Sequence, residues 1–213
     1  LSGRYPGNCG PYDFYRVVTE TDYYVHGVCK AVWTELGGRL EGGVRTGTVP
    51  ERATLLHAAE SPPLADVVRA INKHSNNVMT RQLLLTLGAE KYGPPGTEEK
   101  GIQALRGWLG RRGLIFPELV MENGSGLSRD ERISAEHLAQ LLGSAWQSPY
   151  MPEFLSSLPV YAMDGTLRRR PDSSLAGRAH LKTGSLRDVR SVAGFVHDRR
   201  RRSFAGPRAR VDV

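Results

Sequence analysis

Two short runs carry the residue types from which acyl chemistry is built. Lys182-Thr183-Gly184-Ser185 places a cation, a hydroxyl, a glycine and a second hydroxyl in succession near the C-terminal end. The lysine supplies positive potential, the threonine hydroxyl suits a substrate carboxylate, and the glycine lets a ligand lie close against the backbone. Alone, this tripeptide also fits an ordinary strand end. The second run, Ser75-Asn76-Asn77, lies 107 positions earlier. A serine and an asparagine two apart between helices serve first as capping residues. Projecting into a cleft, the serine hydroxyl would relay a proton and the Asn77 amide would bond a substrate amide.

The flanking sequence predicts the elements that position these groups. His180–Leu186 and 189–196 read as two strands joined by a turn at 185–188, with apolar residues at Val192, Phe195 and Val196. Val25, Val28, Cys29, Val32, Trp33 and Leu36 recur at helical spacing, and Gly37-Gly38 close that run. Ser61-Pro62-Pro63 predicts a helix start with serine at the N-cap, followed by the stripe Leu64, Val67, Val68, Ile71. A third helix is expected from Val78 to Leu87, stopped by Gly88. A fourth opens at Thr97 with Glu98 and Glu99, and a fifth is capped by Ser134. Weak strands are expected at 14–18 and 54–59. A helical block followed by paired strands argues for an α+β layered domain rather than a regular βαβ series.

Composition narrows the class. The chain has 213 residues, 39% hydrophobic and 24% charged, enough for a real core and unlike a disordered chain. No apolar run is long enough for a membrane helix. The net charge of +7 and pI near 9.7 admit an anionic partner. Much of that excess, however, sits in Arg168-Arg169-Arg170 and the arginines at 199–202, which read as solvated surface. No aromatic-interleaved basic strand or recognition helix accompanies them, so nucleic acid is not an expected partner. Cys9 and Cys29 lack further ligands at zinc spacing, and no two histidines stand at metal spacing, so no metal or cofactor is expected. Cys29 falls on the apolar stripe of its helix. A buried free thiol is expected there, with a Cys9–Cys29 disulfide as the alternative.

Ser-x-Asn upstream of Lys-Thr-Gly is shared with active-site serine penicillin-binding proteins and β-lactamases. The wider blocks appear in order: Ile71-Asn72-Lys73-His74-Ser75-Asn76-Asn77, Asn123-Gly124-Ser125-Gly126-Leu127-Ser128-Arg129, Leu158-Pro159, Asp164-Gly165-Thr166-Leu167 and Leu181-Lys182-Thr183-Gly184. Over most of residues 20–198 the chain resembles the class C low-molecular-mass penicillin-binding proteins, the D-alanyl-D-alanine carboxypeptidase/endopeptidase type. The resemblance implies a β-lactamase/transpeptidase-like fold with a helical subdomain and an antiparallel sheet. It implies a periplasmic enzyme that cuts peptidoglycan stem peptides through a serine acyl-enzyme and is acylated by β-lactam antibiotics. Under it, Ser75 shuttles a proton to the leaving D-alanine and Asn77 positions the acyl side chain. Lys182 adds positive potential, while Thr183, with Gly184 and Ser185 beside it, grips the terminal carboxylate. The Ser185 N–H would contribute to the oxyanion hole.

The chain departs from that pattern in one respect. The family's third motif, Ser-x-x-Lys, carries the nucleophile and its base, and no serine of this chain has lysine three positions on. Residues 1–20 are therefore expected to be the end of an inserted region that follows the missing motif, or the segment that re-enters the domain from it. Residues 21–198 would form the transpeptidase-like domain, helical to about 150 and sheet-bearing from 151, and 199–213 would be an atypical basic tail. A fragment with this content is expected to be inactive alone. The rival expectation is a module that binds peptidoglycan peptides without cutting them. Oligomeric state does not follow from the sequence.

Overall fold

The computed structural model describes residues 6–9, 19–171, 173–187 and 189–197. The expected strand at 14–18 and the basic tail at 199–213 lie outside the described residues. The chain divides into two compact units, residues 1–59 and 60–213.

Among the described residues the first unit contains a 3-10 turn (Gly7–Cys9) and the helix α1 (Thr21–Glu35), which ends before Gly37 as its apolar spacing requires. None of its residues is buried. The expected burial of Cys29 is thus overturned. Its thiol is free and exposed, because among the described residues none covers the helix stripe on which it sits. The side chain of Cys9 is outside the described residues. Residues 54–59 adopt no strand, and among the described residues none pairs with them.

The second unit is α+β. Its helices are α2 (Leu64–His74), α3 (Asn77–Tyr92), α4 (Glu98–Arg111), α5 (Ala135–Trp146) and α6 (Met151–Ser157). A 3-10 turn (Gly165–Leu167) then leads to the antiparallel pair β1 (Ala179–Leu186) and β2 (Val189–Val196). Among the described residues no helix is long and apolar enough to cross a membrane.

Local chemistry explains most of the boundaries. Thr97 caps α4 by accepting from Lys100 N, and Ser134 caps α5 by accepting from His137 N. Glu118 takes the Ser134 N–H and pairs with His137 at 2.6 Å. Hydrogen bonds from Ser134 and His137 hold its carboxyl down to about 2. Two expected boundaries are corrected. α2 begins at Leu64, not at Pro62, because Pro63 bars Pro62 from helical backbone. Helix α3 runs through Gly88 to Tyr92. Gly88 is a packing position: a Cβ there would lie 2.7 Å from Gly101 N, where α4 crosses α3.

The core that seats the sheet joins Leu142 of α5, Leu158 and Phe195 of β2, with Trp146, Phe154, Leu155 and Ala193 packed around them. Phe195 meets Trp146 tilted at 5.3 Å and Phe154 edge-on at 6.1 Å. Burying Phe195 and Leu158 together contributes on the order of 4 kcal/mol before entropy is counted. The hairpin is thereby fixed against α5 and α6.

Candidate active site

The link between α2 and α3 is two residues long. Asn76 is the N-cap of α3, its Oδ1 accepting from Met79 N at 3.0 Å. The capping duty expected of Ser75 or Asn77 therefore falls on the residue between them, and both neighbours are released for other partners. Ser75 closes α2 in the left-handed region, at φ 52 and ψ 51. A non-glycine residue is held there at a cost of about 1–2 kcal/mol, and such outliers concentrate at functional sites.

Lys182 of β1 donates from Nζ to Ser75 Oγ at 2.8 Å and to its neighbour's carbonyl, Thr183 O, at 2.9 Å. Because Ser75 Oγ accepts, its own proton is free to point elsewhere. Burial lowers the Lys182 pKa from its ordinary value. Asn77 Nδ2 donates to Ser125 O at 2.5 Å, tying the α2–α3 link to the Asn123–Arg129 loop. A shallow depression of about 320 Å³ opens on that loop, lined by Leu119, Met121, Gly124, Gly126 and Ile133.

The edge of β1 away from β2 is partly paired. Leu181 N donates to Pro159 O, Tyr161 N donates to Ala179 O, and Val160 bridges His180. Strand backbone alternates with period two, so the N–H groups of Thr183 and Ser185 face the same edge as that of Leu181. Gly184 and Ser185 stand opposite Ser191 and Arg190 of β2. Thr183 is half-buried and the Ser185 side chain is exposed. The Lys182 ammonium thus meets the Ser75 hydroxyl at one end of a strand edge that carries further backbone donors, and such an edge suits an extended peptide.

Two residues not assigned to the site from the sequence complete its frame. Lys73, two before Ser75, donates to Asp164 Oδ2 at 2.6 Å and to Leu158 O at 2.7 Å. Asp164 Oδ1 accepts from Val160 N at 2.7 Å. Burial pushes the Asp164 carboxyl up. The Lys73 and Val160 hydrogen bonds and the Lys73 charge outweigh that and leave it below its ordinary value. Asp164 reads from sequence as a turn former. The available signal was a lysine and an aspartate in two of the ordered blocks quoted above, 91 residues apart. His74 is exposed, and no bond joins its ring to Ser75 among the described residues.

The sequence model of the D-Ala-D-Ala carboxypeptidase 3 (S13) family matches residues 1–205. The chain belongs to that family. S13 relatives include the D-alanyl-D-alanine carboxypeptidase DacB of Haemophilus influenzae, 26% identical over 193 residues, which cover 89% of this chain and 40% of that protein. The D-alanyl-D-alanine carboxypeptidase of Actinomadura sp. is 29% identical over 205 residues, covering 92% of this chain and 38% of that protein. A crystal structure of H. influenzae penicillin-binding protein 4 in complex with a β-lactam superposes with a TM-score of 0.76 at 26% identity, over 87% of this chain and 43% of that one. This S13 chain therefore spans about two-fifths of the length of the relatives it matches. The expected α+β, penicillin-binding-protein-like fold is borne out, with the two-stranded antiparallel sheet as its β part.

Proposed function

We propose that the chain forms the proton-handling and carboxylate-binding side of a serine-type D-alanyl-D-alanine carboxypeptidase/endopeptidase. Its substrates are peptidoglycan stem peptides outside the cytoplasm, and β-lactams are its acylating inhibitors. The observation that carries this reading is the 2.8 Å hydrogen bond from Lys182 Nζ to Ser75 Oγ. In the reaction, a serine oxygen attacks the D-Ala-D-Ala carbonyl carbon, the C–N bond breaks, and the departing amine needs a proton. Ser75 donates its hydroxyl proton to that nitrogen and takes up the proton given up by the attacking serine, so it ends as a neutral hydroxyl, with the Lys182 ammonium holding its oxygen throughout. Thr183 Oγ1 and the Lys182 charge hold the terminal carboxylate, and the Ser185 N–H donates to the developing oxyanion. Asn77 shapes the acyl side of the groove through the Ser125 loop. Residues 21–198 act as the transpeptidase-like domain. Because Ser-x-x-Lys is absent from the sequence, the attacking serine belongs to residues outside these 213.

Fluorescent penicillin tests the reading. The 213-residue chain is expected to remain unlabelled, while the gene product extended to an in-frame Ser-x-x-Lys is expected to label on that serine. Ser75→Ala in the extended product should slow acylation about 100-fold or more. Labelling of a serine within residues 1–213 would overturn the assignment of the nucleophile. A second reading, a module that retains stem peptides uncut, is favoured by the same missing motif. It requires that no in-frame Ser-x-x-Lys exist and that D-alanine is never released.

A further inference from the structure

Lys73 and Asp164 take no part in the proton relay just described, yet each lies beside it. Lys73 lies in the last turn of α2, two residues before Ser75. Asp164 accepts from Val160 N, and Val160 bridges His180, two residues before Lys182. One carboxylate therefore has an oxygen on each arm of the site. Oδ2 holds the helix that presents the serine, and Oδ1 holds the segment against which the lysine strand is laid.

Two further contacts stiffen the frame, and two strained residues flank it. Asn72 Nδ2 donates to Ser157 Oγ at 2.8 Å, beside the Lys73 bond to Leu158 O, so two successive residues of the last turn of α2 are fastened to the 157–158 segment. Gly165, at φ +54, brings the loop so close that a Cβ would lie 2.7 Å from Lys73 O. Ser75 and Ala162, the non-glycine residues with positive φ among those described, stand two residues from Lys73 and Asp164 respectively. Strained backbone persists where its surroundings over-determine it. Here the over-determining element is the ion pair. The pair also offsets the Lys73 charge with a carboxylate, while the Lys182 ammonium contacts Ser75 directly.

We propose that Asp164, acting through Lys73 and the Val160 N–H, is the positioning residue that sets the contact between Ser75 and Lys182. This rests on the reading of Ser75 and Lys182 as a proton-relay pair. Asp164 touches no reacting atom; it works by fixing where two other side chains end.

Lysine side-chain NMR on the 213-residue chain tests this without requiring turnover. Lys30, Lys73, Lys91, Lys100 and Lys182 are the chain's lysines, so the titration of Lys182 is resolved by assignment. In the unaltered chain, Ser75→Ala is expected to lower the Lys182 titration point, because the ammonium loses an acceptor. In Asp164→Asn and Lys73→Gln backgrounds that shift is expected to vanish, since the two groups no longer meet. In Lys73→Arg, which keeps the cation, it is expected to return. A shift that survives undiminished in both Asp164→Asn and Lys73→Gln overturns the proposal and leaves the relay reading intact. If Ser75→Ala moves nothing even in the unaltered chain, the relay contact itself fails, and the positioning claim with it. The two disruptive variants are run together so that one can answer if the other does not fold. Loss of folding in both, seen by near-ultraviolet circular dichroism, would mark the pair as a stability element and overturn the positioning role.

Discussion

Ser75 Oγ accepts the Lys182 ammonium at 2.8 Å while the Ser75 backbone sits in the left-handed region. The two facts have one cause. A two-residue link between α2 and α3 needs a residue of positive φ, and glycine would supply it without strain. Serine there costs stability and provides a hydroxyl in the one place where the β1 lysine reaches it.

Ser75→Gly is accordingly expected to stabilise the fold by about 1 kcal/mol, since the left-handed strain is relieved. It removes the Lys182 contact at the same time. Chemical denaturation should show a higher midpoint with an unchanged slope. A lower midpoint would mean that the hydroxyl contact outweighs the strain, contrary to this account.

Lys182 is half-buried, and burial lowers its pKa. The unfolded chain then binds more protons than the folded one between the lowered value and the ordinary 10.5. Stability contributed by this group therefore rises with pH across that window. Lys182→Met, similar in length and uncharged, is expected to remove that slope while leaving neutral-pH stability unchanged or slightly raised. Urea midpoints at pH 7, 9 and 10 for both chains check it; parallel pH dependences would rule out a buried ammonium.

The elements around the site were largely legible in the sequence, because their signals are local. Apolar spacing and capping residues marked α1, α4 and α5, and alternation marked the β1–β2 hairpin. The Ser75 and Lys182 motifs stood out by residue type. What remained hidden depends on contacts between distant segments. The ion pair of Lys73 with Asp164 spans 91 residues and has no local period. Gly88 reads as a helix stop until Gly101 is brought against it. Cys29 lies on a stripe that periodicity finds, but periodicity does not say what covers the stripe.

Gly88 and Gly110 give a direct test of the packing account. A methyl group at Gly88 would meet Gly101 N at 2.7 Å and Lys100 Cβ at 2.9 Å, whereas one at Gly110 meets nothing within 4 Å. Gly88→Ala is expected to destabilise by about 1–2 kcal/mol, overpacking exceeding the gain in helix propensity. Gly110→Ala is expected to stabilise by about 0.5–1 kcal/mol through propensity alone. Thermal melts of the two variants should move in opposite directions. A common direction would show that α3 and α4 are not in backbone contact.

Acid should act on the frame of the site in two stages. His180 is lowered from 6.5 chiefly by burial, against the Leu155 carbonyl that favours its charged form. The unfolded chain therefore takes up this proton first, and stability falls as pH drops below about 6.5. Asp164 behaves differently. Its folded pKa lies below 3.8, so its contribution is intact above that value and is lost as pH falls through the folded one. Asp164→Asn is expected to flatten the lower stage and leave the slope near pH 6 in place, while His180→Gln does the reverse. Denaturant midpoints between pH 7 and pH 2.5 separate the two. A lower stage that survives Asp164→Asn would assign the acid sensitivity to other carboxylates, such as Glu118 held at about 2 by Ser134 and His137.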